Sequence, residues 1–464
     1  MATLPDRNRT IRTACDRCYE LKERCARASI TVACRRCDRL DLVCSTVRPK
    51  RPAGRRPRRR EQSAAGTTSS LSSTLDVGTW LQDLTDLLPE ERQLMMSLLC
   101  QPENLEYYVV SPSFQAAEQR SLVAPLPAAL PVLKDAYLAR AGTLKLLEPG
   151  VTTEECQSTS LQHISSAMEV LRSLPVLSSQ DAALCLTLGT TLALFVYSAI
   201  GVGVADICGY CLSTTNPFIE KLLSDNDTEP WQSFLALLET MECMVHRRKP
   251  TVRIRLRSSQ NVDRHLGLCL PLLPYYHDLC VISYSLANTT DASYLACLQK
   301  QLDEIQANVE AWQPFHPAHF VDRFQTADVV NLLAQARVYR LGGLLLSHRL
   351  RHVFGQQDSQ AGIWAKEIMM ELDLARQVTK RSIRCVTLPF IVAAIEIRDP
   401  TVRTKALQDV DKYVDQFSPV VQKAAKTFLS RIWRERDFKI TSSWFDSVHK
   451  PCAVLHYIET ACVS

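Results

Sequence analysis

Apolar residues recur at helical spacing along much of the chain after residue 90. Three windows show the pattern: Leu161, Ile164, Met168 and Leu171; Trp364, Ile368, Leu372 and Ala375; and Val330, Leu333 and Leu341 with Arg337. This spacing places side chains on one face of an α-helix, whereas the alternation typical of strands is scarce. We therefore predict a mostly α chain with a large helical domain, in which the third of these helices ends near Gly342-Gly343.

An uncharged segment of 24 residues, 182–205, is long enough to cross a bilayer. It also contains hydroxyl side chains and three glycines, and no other segment favours a membrane. We interpret it as a buried central helix that breaks near Gly201-Val202-Gly203, and we expect no membrane partner.

Between residues 75 and 88, apolar side chains at helical spacing alternate with acidic ones. Pro89 ends this pattern after about three turns, which is shorter than the heptad run that a dimeric coiled coil needs. Two interpretations remain, an acidic activation segment or the first amphipathic helix of the large domain. Because no coiled coil is predicted, the sequence does not decide whether the chain forms a homodimer. If it does, the helical domain would have to supply the interface.

Six cysteines near the N-terminus form two copies of the spacing C-x2-C-x6-C. They are Cys15, Cys18, Cys25, Cys34, Cys37 and Cys44. Thiolates are good ligands for tetrahedral zinc, and a C-x2-C turn lets two sulfurs reach one ion. Two four-coordinate ions need eight bonds, so two of the six sulfurs must bridge. The spacing therefore predicts a binuclear cluster that holds two Zn²⁺ ions.

Three other uses of these cysteines fit less well. Disulfide pairing needs an oxidising compartment, and the polar, basic first 13 residues lack the apolar run of a signal peptide. A single four-cysteine site would use both C-x2-C pairs but leave Cys25 and Cys44 without a role. An iron–sulfur site usually has a different spacing.

Positive charge is concentrated around this cysteine array. Residues 1–60 contain 18 Lys or Arg and six Asp or Glu, whereas the whole chain carries a formal net charge of only +5. A basic small module beside a net acidic large one suits a polyanion partner. Since the segment lacks an amphipathic apolar face for a membrane surface, nucleic acid is the expected partner.

The array over residues 15–44 resembles the fungal zinc binuclear cluster, the Zn2Cys6 DNA-binding module, at all six cysteine positions. The resemblance implies that Cys15 and Cys34 bridge the two ions. It also implies a short helix after each C-x2-C pair, the first of which enters the major groove of DNA.

The same resemblance implies roles for individual basic residues. Lys22 matches the family position whose lysine reads base edges, and lysine suits the O6 and N7 acceptors of guanine. Family members typically favour CGG triplets, so a CGG half-site is expected here. Arg17 and Arg24 are expected at phosphates, which fix register without reading sequence.

A dense basic tail follows the array. Residues 48–60 contain three prolines, which keep the run extended so that arginines can follow a phosphate backbone or enter a narrow minor groove. The tail also fits a nuclear localisation signal. The tail residues predicted to contact DNA are Arg48, Lys50, Arg51, Arg55 and Arg56.

Composition then divides the chain into four parts. A flexible arm (1–12) precedes the cysteine module (13–46), and a linker (47–74) is first basic and then rich in Ser and Thr. The remaining residues, 75–464, form the predicted helical regulatory domain.

A second resemblance, to the fungal-specific transcription factor domain, covers roughly residues 385–446. It rests on Leu388-Pro389-Phe390-Ile391, Glu396, Arg398-Asp399-Pro400, Arg403, Ile432-Trp433-Arg434-Glu435-Arg436-Asp437 and Trp444. Because proline cannot sit in a helix interior, Pro389 and Pro400 would bound a helix of about ten residues. Trp433 would anchor the last long helix, and the resemblance implies an all-α regulatory region without established catalytic residues.

Signatures of enzyme chemistry are missing from the sequence. It contains no G-x-S-x-G elbow, no H-E-x-x-H and no phosphate-binding loop of the Walker type. Three further pairs have the spacing of metal ligands, but no third ligand lies at a diagnostic distance, so packed or surface side chains are the favoured interpretation. These pairs are Cys208 and Cys211, His316 and His319, and His348 and His352.

Together these features predict a nuclear, sequence-specific DNA-binding regulator of RNA polymerase II transcription that is not an enzyme. Its expected partners are double-stranded DNA and the transcription machinery or co-regulators. We expect it to activate transcription, and repression by promoter occupancy is the alternative. Control of a metabolic gene cluster is an extension by fold-level analogy. The rival is an enzyme or small-molecule-binding helical domain that the DNA module merely localises.

Overall fold

The computed structural model places the chain in two compact units, Met1–Ser73 and Thr74–Ser464. It describes residues 14–20, 25–27, 32–45, 77–85, 87–146, 153–218, 229–255, 262–315, 317 and 320–441. The linker segment 64–74 and Trp444 lie outside the described residues.

The N-terminal unit contains two short helices, α1 (Asp16–Glu20) and α2 (Arg35–Arg39). Each begins directly after the first cysteine of a C-x2-C pair and includes the second. The resemblance implied a short helix after each pair, and the described residues show one that includes the second cysteine of each pair instead. At α2 the reason is a cap, since the Cys34 sulfur accepts a hydrogen bond from the Cys37 N–H, as N-cap side chains do.

The second unit is a large helical domain, and the prediction of a mostly α fold is confirmed. Its described α-helices are α3 (Val77–Asp83), α4 (Pro89–Cys100), α5 (Gln115–Val123), α6 (Leu126–Leu146), α7 (Thr153–Ser173), α8 (Ser179–Phe195), α9 (Val204–Thr215), α10 (Glu229–His246), α11 (Leu273–Asn288), α12 (Ala292–Ala311), α13 (Phe320–Arg323), α14 (Thr326–Arg351), α15 (Asp358–Thr379), α16 (Thr387–Ile395), α17 (Pro400–Tyr413) and α18 (Pro419–Asp437). The β-pairing seen among the described residues is one isolated bridge, between Asp263 and Gly267.

Helix α8 forms the centre of this domain, as the uncharged segment predicted. Ser178 and Asp181 form a capping box at its start, and nearly every residue from Cys185 onward is buried. A π-helical turn, Val196–Ile200, follows, and the left-handed glycines Gly201 and Gly203 end it. By length and composition Ser179–Ile200 could span a bilayer, as could the bent pair Pro112–Val123 and Leu126–Lys145 if taken as one span. Since 78% of the apolar window in Ser179–Ile200 is buried within the domain, we interpret it as a core helix.

Helix α3 resolves the two interpretations of residues 75–88. Leu81 is fully buried in the main hydrophobic core, so the segment is the first helix of the large domain. It ends at Asp83, short of Pro89, because the chain turns before α4. The Arg92 guanidinium donates hydrogen bonds to the carbonyls of Leu84 (2.7 Å) and Leu87 (3.3 Å) across this turn.

Two of the three predicted apolar stripes can be compared side by side. Ile368, Leu372 and Ala375 on α15 are buried, and Trp364 is half-buried beside them. On α7, Ile164 and Leu171 are buried and Met168 is half-buried, but Leu161 is 44% exposed. The stripe on α7 therefore begins one turn later than the sequence predicted.

The third stripe lies on α14, and its predicted end near Gly342-Gly343 is wrong. The helix continues through both glycines to Arg351. A Cβ on Gly342 would lie 2.9 Å from the Tyr276 hydroxyl and 3.2 Å from the Pro389 Cβ. The glycine therefore serves the close approach of α11 and α16 to α14 rather than a helix end.

We expect Gly342→Ala to lower the free energy of unfolding by about 1–2 kcal/mol, because overpacking outweighs the gain in helix propensity. The Tyr276 hydroxyl cannot move freely, since it donates a 2.6 Å hydrogen bond to the Tyr339 carbonyl. Urea unfolding checks the value. The matched control is Gly362→Ala on α15, where nothing lies within 4 Å of the added Cβ. That change should be stabilising by about 0.5–1 kcal/mol, and equal effects at both sites would contradict the close approach.

The two prolines were predicted to bound a helix of about ten residues, and the nine-residue α16 instead begins two residues before Pro389 and ends at Ile395. Pro389 is the third residue of α16, where the missing N–H costs no helical hydrogen bond, and Pro400 begins α17. The Trp433 indole on α18 is buried and donates a 3.0 Å hydrogen bond to the Ala394 carbonyl of α16. The prediction that Trp433 anchors the last long helix is confirmed.

Candidate metal centre

Four buried thiols converge in the N-terminal unit. The side chains of Cys15, Cys18, Cys34 and Cys37 are fully buried, and their sulfurs all lie within 4.8 Å of one another. The separation is 3.9 Å for Cys15 and Cys34, 3.8 Å for Cys15 and Cys37, and 3.7 Å for Cys18 and Cys34. Two sulfurs bound to one tetrahedral zinc at about 2.3 Å lie about 3.8 Å apart. These four cysteines could therefore hold a metal ion.

The third cysteine of each triplet joins the same cluster. The Cys25 sulfur accepts a hydrogen bond from the Cys15 N–H, and the Cys44 sulfur accepts one from the Cys34 N–H, each at 3.4 Å. Cys25 and Cys44 are half-buried against the four central thiols. The same backbone-to-sulfur contact thus occurs once in each half of the unit, as the repeated spacing suggested.

The central sulfurs differ in their contacts across the two halves. Cys15 contacts both Cys34 and Cys37 of the second half. Cys34 contacts both Cys15 and Cys18 of the first half. The first cysteine of each triplet therefore reaches two sulfurs of the other triplet.

The same two cysteines ionise most readily. The pKa of Cys34 is lowered to about 6, chiefly by the hydrogen bond from the Cys37 N–H. Burial raises the pKa of Cys15, but hydrogen bonds from the Cys18 N–H and neighbouring thiols outweigh it and the net shift is downward. Burial raises the pKa of Cys18 to about 12. Hydrogen bonding therefore lowers the pKa at the two cysteines in the middle of the cluster, where a thiolate is the metal-binding form.

Backbone hydrogen bonds close the unit around the sulfurs. The Asp16 N–H donates to the Ser45 carbonyl at 2.9 Å, and the Ser45 hydroxyl donates to the Asp16 carboxylate at 2.7 Å. The Leu42 N–H donates to the Cys37 carbonyl at 2.8 Å. The first turn of α1 is thereby tied to the residue that follows the last cysteine.

One residue of the predicted DNA-contacting set is described. Arg17 lies exposed on α1. The others, Lys22, Arg24, Arg48, Lys50, Arg51, Arg55 and Arg56, lie outside the described residues.

The remaining candidate metal pairs show other roles where they are described. Cys208 and Cys211 are buried on α9, and the Cys211 sulfur lies so close to Gly189 that a Cβ there would be 2.2 Å away. The rings of His348 and His352 contact each other in a tilted arrangement, with centroids 4.7 Å apart. His316 and His319 lie outside the described residues. Within the described part of the chain, the one group of at least three potential metal ligands is the central four cysteines.

A buried ion-pair network, which the sequence did not indicate, surrounds Arg349 of α14. Its guanidinium donates to both carboxylate oxygens of Glu396, at 2.8 and 2.7 Å, and to Asp358 at 2.7 Å. Arg436 of α18 lies 3.7 Å from the same Glu396 carboxylate. Glu396 and Arg436 belong to the C-terminal motif, so part of that motif joins three helices in the core.

A family model of the fungal specific transcription factor domain matches residues 150–455, about two thirds of the chain. The match begins well after the cysteine cluster. No curated protein and no solved structure gives a match to the chain. The family is one of regulators that act on transcription in the nucleus, rather than one of enzymes. The chain therefore belongs to the fungal-specific transcription factor domain family and is a regulator of transcription.

Proposed function

We propose that residues 13–46 form a Zn2Cys6 module in which six cysteines hold two zinc ions. One ion would be held by Cys15, Cys18, Cys25 and Cys34, and the other by Cys34, Cys37, Cys44 and Cys15. Zinc would supply no redox chemistry and would act as a structural cross-link. The contacts of Cys15 and Cys34 across the two halves favour them as the bridging ligands.

On this basis the protein is a sequence-specific DNA-binding regulator of RNA polymerase II transcription. The observation that carries the proposal is the convergence of the thiols at zinc-ligand spacing, in a segment of strong positive charge, on a chain of the transcription factor family. Folded around metal, such a unit presents a short helix to the major groove. Lys22 would read a CGG triplet, and the exposed Arg17, together with Arg24, would contact phosphates.

The basic tail and the helical domain have separate roles in the proposed function. Residues 48–60 would follow the phosphate backbone, which adds affinity without sequence preference. The same tail would direct the chain into the nucleus. The helical domain, 75–464, would recruit or regulate the transcription machinery, and we propose activation as its effect on transcription.

Lys22→Ala is expected to weaken binding of the purified full chain to a CGG-containing duplex by about tenfold or more, since a good base contact contributes about 1–3 kcal/mol. Fluorescence anisotropy with labelled duplexes measures the loss, while zinc content should stay unchanged. The matched control is Lys300→Ala, which removes an exposed lysine from α12 and should leave affinity as it was. Equal affinity of the unaltered chain for CGG and scrambled duplexes would contradict sequence-specific binding.

A further inference from the structure

A cleft with a volume of ≈ 190 Å³ lies inside the helical domain. Helices α10, α16 and α18 form three of its walls, and the π-helical turn after α8 together with the start of α9 forms the fourth. Spaces between packed helices are common positions for small-molecule sites. The cleft is therefore a candidate site for one small ligand.

Local backbone geometry keeps this space open. The π-helical turn Val196–Ile200 widens the end of α8, and such turns are frequent at functional sites. Gly201 and Gly203 then adopt a φ of 81°, which turns the chain away before α9 begins. On the opposite wall α18 presents Ala424 and Ala425, whose small side chains leave the space unfilled.

The cleft is apolar along its walls and polar at one place. Met241, Ile391 and Phe428 are among the apolar lining residues. Glu242 and His246 lie four residues apart on α10, so they share one face of that helix. None of the lining residues that the structure describes is a Lys or Arg.

The two polar side chains differ in what they already bind. One Glu242 oxygen accepts a 2.9 Å hydrogen bond from the Ala205 N–H, and the other forms a 3.9 Å ion pair with the half-exposed Arg248 guanidinium. No hydrogen bond joins the His246 ring to another described residue. Burial lowers the pKa of His246, although Glu242 opposes the shift. The polar end of the cleft thus offers the Glu242 carboxylate and the ring nitrogens of His246.

We propose that this cleft binds an apolar small molecule that is uncharged or weakly basic and directs an N–H or O–H donor to Glu242 or His246. The lining carries one half-buried carboxylate and no Lys or Arg, so a ligand carboxylate or sulfonate would lie near a like charge with no lining cation beside it. The cleft lies within the helical domain, so the proposal does not depend on metal or DNA binding by the N-terminal unit.

N-phenyl-1-naphthylamine is a suitable probe, since it is apolar, is neutral at pH 7 and carries one N–H donor. Its fluorescence should rise saturably with one site per full-length, zinc-loaded chain. The sulfonate of the same skeleton, 1-anilinonaphthalene-8-sulfonate, should bind at least about tenfold more weakly to that site. Equal affinity for the two dyes, or no saturable signal, would overturn the proposal.

Ala424→Trp places an indole in the half-buried edge of the cleft and should weaken dye binding by about tenfold or more. The control Ala296→Trp adds the same side chain at an exposed position on α12 and should leave binding unchanged. Thermal unfolding verifies that both variants fold.

Unchanged binding by a folded Ala424→Trp chain would place the dye elsewhere and reject the site. Binding seen only after removal of residues 442–464 would reject it too, since that segment would then be the occupant.

Discussion

Replacing Cys34 with serine should remove both zinc ions from the chain and abolish its specific binding to DNA. In the proposed cluster the Cys34 sulfur bonds to both ions, so its loss leaves each ion with three ligands and Cys15 as the one remaining bridge between the halves. Metal binding supplies the folding free energy of small zinc modules, about 10–16 kcal/mol in zinc-finger peptides, so the unit should unfold rather than loosen. Zinc content by atomic absorption and anisotropy with a CGG duplex measure the two losses.

Cys297→Ser is the matched control, because Cys297 is an exposed thiol on α12 of the helical domain. It should keep two zinc ions and the original DNA affinity. The helical domain should also stay folded in Cys34→Ser, with helical circular dichroism close to that of the unaltered chain. A Cys34→Ser chain that retained two ions would show that Cys34 is not a bridging ligand.

The largest expected effect on the helical domain is a loss of about 3–5 kcal/mol in the free energy of unfolding for Arg349→Met. The Arg349 side chain is almost fully buried and holds Glu396 through two hydrogen bonds. It also donates to the carbonyls of Val353 (3.2 Å) and Gln356 (3.3 Å), just before α15. Removing the guanidinium leaves a buried carboxylate without its main partner, and that desolvated charge is the source of the cost.

Tryptophan fluorescence during urea unfolding reports this domain alone, because all six tryptophans lie after residue 74. The comparison variant is Arg337→Met. Arg337 lies on α14, as Arg349 does, and forms an ion pair with Glu371 of α15. The Arg337 side chain is 56% exposed, so the expected cost is below about 1 kcal/mol. Similar losses for the two variants would mean that the Arg349 network contributes no more than a surface pair.

Much of the fold follows from patterns that are local in sequence. Period and length identified α8 as a buried helix and most of the buried face of α15, and the fixed geometry of proline located the region of α16. The end of α14 was mispredicted because a glycine that breaks an isolated helix can also serve a close contact. That contact involves Tyr276 and Pro389, which lie far from Gly342 in sequence.

The candidate metal site was accessible to sequence reasoning because its six ligands fall within 30 residues and repeat one spacing. The Arg349 network was not, since Arg349 and Glu396 are 47 residues apart and the motif that contains Glu396 does not indicate which cation it pairs with. The cleft was missed for a related reason. Its walls come from four separate parts of the chain, and the signals that remain in the sequence are Gly201, Gly203 and a pair of alanines.

Native mass spectrometry of the full chain under reducing conditions tests the central claim most directly, because it counts the bound ions. Six thiolates that share two sulfurs should retain two zinc ions per chain, and both should leave together as chelator is added. A chain that carries one zinc ion, or none, would contradict the binuclear cluster on which the proposed sequence-specific DNA binding depends.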